Sequence, residues 1–344
     1  MSTIDTLSDR RAHTEPPAAR RVSVRLAGLL IALAVLAAVL VLGIGFGARF
    51  LSPGQVWAGL VDSGSPYYRI VHEMRLPRTL LGLIVGLALG LAGAIMQALT
   101  RNPLADPGLL GINAGASAAV ATAAAFLGIG TFGSYVWFAL LGAAIVTALV
   151  YAVGGGRAAT PARLALAGAA LNATLYSYVS AALLANTESI ERMRFWTVGS
   201  LASADFGTVR RVLPFIAAGV LIALASARAL NALSLGDDAA RAIGARPGLI
   251  RVLVIVAVTL LCGAATAACG PIVFVGLLIP HLVRPFTGPD LRWMLPYTAV
   301  LSPVLLVGAD VLGRVLGSPG ELQVGVVTAV LGGPLFLYLV RVAK

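Results

Sequence analysis

Lysine is almost missing from this chain: Lys344 is the only one among its 25 basic residues, and the rest are arginine. We read this arginine excess as genomic coding bias. A single terminal lysine excludes a G-x-x-x-x-G-K-[ST] phosphate loop, and with it a nucleotide site of that kind. Charge of either sign is scarce, at 11% of residues, too little to clothe a soluble surface. The two cysteines, Cys262 and Cys269, fall in one apolar run. On a helix they stand roughly 10 Å apart, too far for a disulfide. With no histidine close by they do not form a metal site either, and both read as packing residues.

Hydrophobic residues make up 59% of the 344 positions, and there are 39 glycines. Apolar runs of about 20 residues recur along the chain, the signature of a polytopic helical membrane protein. The runs are continuous rather than alternating, which excludes an outer-membrane barrel. The net charge of +11 lies between apolar runs and not in a stripe, so it speaks for topology and not for nucleic acid. Ten apolar segments are expected, near 26–48, 79–99, 108–127, 134–153, 162–184, 212–230, 250–269, 272–286, 294–312 and 324–342. The eighth is short and interrupted by proline. Residues 1–25 read as a disordered polar tail. The first run is too long for a signal-peptide core and reads as a span. Placing the N-terminus inside puts Arg10, Arg11, Arg20, Arg21 and Arg25 there, with most of the other cations. Both termini then lie inside. Arg75 and Arg78, flanking Pro77 at the start of the second span, fall outside, against the trend.

Other features bear on mechanism. Pro77–Ala94 lines up weakly with Pro247–Ala264 in the opposite direction of travel, as in an inverted-repeat transporter. Gly82, Gly86, Gly90 and Gly93 share a helix face suited to close packing. Asn102-Pro103 and Asp106-Pro107 break the helix, and irregular backbone at such depth must be buried in protein or line a cavity. The next helix is expected near Gly108. In 230–251, Ser234 precedes Asp237 and Asp238 at capping-box spacing, predicting a short helix at about 237–243 closed by Gly244 and Pro247. Asp310 and Arg314 have the spacing of an intrahelical pair. No expected span carries a carboxylate near its middle, which speaks against a proton- or sodium-driven carrier. Ser117, Ser177 and Ser180 could be nucleophiles of an intramembrane enzyme, but His281 has no visible partner.

The stretches 75–117, 194–201, 229–248, 269–284 and 319–340 together resemble the FecCD-type permeases, the membrane subunits of ABC importers for iron–siderophores, haem and cobalamin. The detail of 97–117 and 229–248 is most similar to the ferric-enterobactin branch. The resemblance implies an all-α fold of ten transmembrane helices over 26–344, in a bacterial cytoplasmic membrane. It implies a chain without catalytic residues, metal or cofactor of its own, with ATP and magnesium held by two partner ATPases. A periplasmic or lipid-anchored binding protein would deliver the substrate. The second permease is a related chain in the enterobactin branch and an identical one in other members. Arg75, Arg78 and Arg314 would face acidic residues of the binding protein. The segment 231–248, with Leu235, Gly236, Asp237, Asp238, Ala239, Arg241 and Gly244, would couple to the ATPase.

Overall fold

The computed structural model describes residues 18–47, 49–129, 132–156, 160–185 and 196–342, and among them every regular element is helical. In chain order these are α1 (Ala18–Gly45), α2 (Pro53–Val61), α3 (Leu76–Thr100), α4 (Ile112–Phe126), α5 (Phe132–Val153), α6 (Pro161–Leu184), α7 (Phe206–Leu233), α8 (Asp237–Ala242), α9 (Pro247–Cys269), α10 (Val275–Thr287), α11 (Leu291–Leu316) and α12 (Val324–Val342). Each of the ten apolar segments lies largely within a helix. Among the described residues six helices are long and apolar enough to cross a membrane: those containing Val22–Gly45, Ile70–Thr100, Ser134–Val153, Phe206–Leu233, Pro247–Cys269 and Leu291–Leu316. Ile112–Phe126 and Val324–Tyr338 are shorter apolar helices.

Local chemistry explains several boundaries, and some differ from expectation. The polar tail, as far as residue 17, lies outside the described residues, but 18–25 are already helical. Their anchor is Arg25, whose carbonyl accepts a 2.5 Å hydrogen bond from Tyr297 and whose guanidinium lies 5.6 Å over the Trp293 ring. Helix α2 had no periodic signal. It is set by Pro53 and by a capping box in which Ser52 Oγ accepts from Gln55 N while Gln55 Oε1 accepts from Ser52 N. Pro77 does not start the second span. A π-helical turn, Ile70–Arg75, runs straight into α3, and its wider winding admits a proline ring that would crowd an α-helical carbonyl. Ser234 does not cap α8. Its hydroxyl donates to the Asn231 carbonyl at the end of α7, and Gly236, at φ +113°, precedes α8 instead. Gly244, at φ +83°, follows α8, where a left-handed residue is needed. The helix expected near Gly108 begins as a 3-10 turn, Pro107–Leu110, before α4.

The core is built around α3 and α9, the two helices that carry the weakly matching sequence copies and the most buried of the six. The glycine face of α3 permits this burial. A Cβ on Gly82 would meet Val307 at 2.9 Å, and one on Gly86 the Pro303 backbone at 2.7 Å. On Gly90 it would strike Ser302, and on Gly93 the carbonyl oxygen of Gly276. Small residues thus bring α11 and then α10 against α3 at backbone distance. Cys262 and Cys269 are free and buried, as packing residues are.

Candidate functional site

Charged side chains gather at two ends of the bundle, separated by the length of α3, about 37 Å by helix rise. At the first end the uncapped carbonyls of α1 need donors. Arg75 Nη1 donates to Ile44 and Gly45 at 2.7 Å each, and Nη2 donates to Arg49 O. Arg314 Nη1 donates to Gly43 at 3.1 Å and Phe46 at 2.8 Å. Both arginines are buried, at 6% and 3% exposure. Asp310, 2% exposed, sits between Arg78 at 2.8 Å and Arg314 at 3.1 Å. Arg78 also reaches Glu321 at 2.8 Å. The expected Asp310–Arg314 pair is therefore one edge of a network that gathers Arg78 as well.

Sequence reasoning placed Arg75, Arg78 and Arg314 at one end, and the structure brings them together. Their guanidinium groups, however, are engaged within the chain. A cavity of ≈ 210 Å³ opens beside them, lined by Gly47, Arg49, Met74, Arg78 and Glu321 among others. Arg49, exposed and 5.9 Å over the Tyr67 ring, is a rim cation that sequence reasoning missed. No local spacing ties it to this site, because the loop that carries it meets α3 only in space.

At the other end the helix break after α3 places Arg101 at φ +52°, unusual for a side-chain-bearing residue. From there its Nη2 reaches Leu233 O at 2.6 Å and Asp237 at 2.9 Å. Arg251 of α9 holds the other oxygen of Asp237 at 2.6 Å. Partial burial pushes the Asp237 carboxyl up, but the hydrogen bonds and charges of Arg251 and then Arg101 outweigh it and hold it below the usual carboxylate range. The tie is fully formed at neutral pH and is lost only as pH falls through that depressed value.

Asp237 thus joins α8 to both central helices. Asp238, by contrast, has a side chain 99% exposed and among the described residues pairs only with Arg241, at 2.7 Å. Leu235 is exposed beside it, as is Ile243, which sequence reasoning did not single out. In the break itself, Asn102 Oδ1 accepts from Leu104 N, and Asp106 Oδ1 from Gly108 N, so both side chains complete turns. Pro107 is buried and Pro103 partly so. Among the described residues no three His, Cys, Asp or Glu side chains group as metal ligands.

The sequence pattern of the FecCD transport family matches residues 33–342. The chain belongs to the FecCD transport family. It is 49% identical over 275 residues to the ferric enterobactin transport system permease protein FepD of Escherichia coli (strain K12), covering 79% of this chain and 82% of that one. It is 37% identical over 316 residues to the hemin transport system permease protein HmuU of Yersinia pestis, covering 90% and 93%. Among solved structures, a metal-chelate type ABC transporter in an inward-facing conformation superposes with a TM-score of 0.80 at 28% identity, covering 93% of this chain and 99% of that one. The protein is a multi-pass membrane transport protein of this family.

Proposed function

We propose that this chain is the permease subunit of an ATP-driven importer that carries a ferric siderophore across the bacterial cytoplasmic membrane, in ten passages with both termini inside. Asp237 is the single observation that supports it best. A surface helix is tied by two arginines to the two most buried spans, and it presents Asp238 and Arg241 outward, with Leu235 exposed just before it. A partner that moves α8 would pull on the core directly. That partner is an ATPase, two copies serving a pair of permeases, and it alone holds ATP and magnesium. The 49% identity to a ferric enterobactin permease favours a ferric siderophore over haem, and a related chain over an identical one as the second permease.

Replacing Asp238 and Arg241 together with alanine is expected to leave folding intact, because both are exposed, and to uncouple ATP hydrolysis from uptake in reconstituted vesicles. Normal coupled uptake would count against α8 as the drive surface.

The opposite end receives the binding protein. Arg75 and Arg314 form the floor of the cavity there, and Arg78, less buried than either, could exchange Glu321 for an acidic side chain of the partner, with Arg49 at the rim. Guanidinium suits this because it stays charged and grips a carboxylate through two hydrogen bonds. Arg78→Gln is expected to slow binding-protein association and flatten its salt dependence, while Arg314 keeps Asp310 paired. Association rates that do not change at any salt concentration would remove Arg78 from the docking surface.

A further inference from the structure

Helices α3 and α11 are pinned to each other at the outer end of the bundle. Arg78, near the start of α3, holds Asp310 of α11 at 2.8 Å. Further along, the two helices lie at backbone distance: a Cβ on Gly86 would meet the Pro303 backbone at 2.7 Å, and one on Gly90 would strike Ser302. Pro303 interrupts the hydrogen-bond ladder of α11 where α3 comes this close, so α3 braces the helix at its weak point.

At the inner end each helix is fastened to the segment that carries α8. Arg101, just past α3, reaches Leu233 O at 2.6 Å and Asp237 at 2.9 Å. The fastening of α11 is Asn231, in the last turn of α7. Its Nδ2 donates to Asp290 Oδ1 at 2.6 Å, and its Oδ1 accepts from Leu291 N at 3.1 Å. Asp290 is the N-cap of α11 and Leu291 opens the helix. One amide therefore holds both the capping carboxylate and an N–H that has no partner within the helix. The Asn231 carbonyl also accepts from Ser234 Oγ at 2.6 Å, which ties the turn leading to α8 to the same residue. Only five residues separate Asn231 from Asp237.

We propose that Asn231 is a positioning residue for coupling. It passes displacement of α8 to α11, and through α11 to the network of Asp310, Arg78 and Arg314 where the binding protein docks. This rests on the importer reading above. Asp290 and Asp310 are 20 residues apart, about 30 Å of helix rise, so one element spans the two ends. A pull on α8 that reached α3 alone would slide it past α11 and strain the Arg78–Asp310 pair. With Asn231 in place both helices are drawn from the same turn and move as one strut.

The test uses the complete complex in lipid nanodiscs. ATP hydrolysis is measured with and without binding protein loaded with ferric enterobactin, and the readout is the ratio of the two rates. Asn231→Leu keeps the side-chain volume and favours helix, yet removes both bonds to α11. It should lower the ratio about fivefold, the small end of a lost coupling, with an unfolding midpoint close to that of the parent. Asn231→Ala should give the same loss and replaces the leucine variant if that protein does not assemble. Asp290→Asn is the conservative change: its side-chain oxygen still accepts from Asn231 and caps α11, and only the ion pair with Arg292 goes. It should keep the ratio of the parent. Thr266→Val, which deletes a 2.8 Å bond between α9 and Asn113 of α4, should keep it too. A parental ratio in the Asn231 variants overturns the proposal. An equal loss in Asp290→Asn also overturns it, because the effect would then belong to the Asp290–Arg292 charge pair. So does an equal loss in Thr266→Val, which would mean a general weakening of the bundle. In all three cases the parent still responds to the binding protein, so the importer reading stands. A parent whose hydrolysis ignores the binding protein would remove that reading and the proposal with it.

Discussion

Asp310→Ala is expected to cost about 3–5 kcal/mol, the penalty for stripping a buried charge of its partner. The carboxylate is the shared counter-ion of Arg78 and Arg314, and among the described residues Arg314 forms an ion pair with no other carboxylate. Its remaining hydrogen bonds go to backbone carbonyls, which orient the guanidinium without neutralising it. Thermal unfolding in detergent, followed by size-exclusion chromatography, should show a large fall in midpoint or no recoverable monodisperse protein. Glu321→Gln should have a much smaller effect, because its side chain is 32% exposed and water can take its place. The double change Asp310→Ala with Arg314→Met separates charge from packing. It removes the stranded cation while Glu321 still serves Arg78, so stability should recover in part. It should not recover fully, because the α1 carbonyls of Gly43 and Phe46 lose their donor. An Asp310→Ala protein as stable as the parent would mean that the network does not hold this end together.

The same cluster shows what could be read without coordinates. The Asp310–Arg314 pair was legible because an intrahelical interaction repeats at fixed spacing. That Arg78 joins it was not, since the partners are 232 positions apart and no local rule connects them. The arginines before the second span were recognisable as a group, but their burial was not. The extra turn Ile70–Arg75 that swings Arg75 under the end of α1 leaves no periodic signature. Apolar runs marked the helices well, because span length follows from bilayer thickness. The short elements α2 and α8 rest on one or two capping atoms, and one such assignment, Ser234, went to the preceding helix. At the other end Asp237 was picked out with its neighbours, yet nothing distinguished its inward role from the outward one of Asp238. That difference comes from Arg101, just past the end of α3, and Arg251 of α9, which both reach it across space.

Gly93→Ala is expected to be the most damaging single-methyl change on α3. The added carbon would overlap the carbonyl oxygen of Gly276, a backbone atom at the start of α10 that has no rotamer to escape into. The neighbouring Gln97 amide donates to the Gly276 and Leu277 carbonyls, at 3.4 and 3.1 Å, so moving α10 aside would break those bonds as well. Overpacking of this kind costs about 1–3 kcal/mol where side chains can shift, and the upper end applies where backbone must. Gly54→Ala is the control: its Cβ meets nothing within 4 Å. It should leave the unfolding midpoint near that of the parent or raise it, since alanine loses less backbone freedom in a helix. Gly82→Ala should fall between them, because it presses on the movable side chains of Val307 and Leu201. The order Gly54, Gly82, Gly93 in falling stability, read from unfolding midpoints of the three variants, tests whether the glycine face of α3 brings backbones together or merely fills a membrane helix. If Gly93→Ala were as stable as Gly54→Ala, the close approach of α3 and α10 would not be what holds the centre of this transporter.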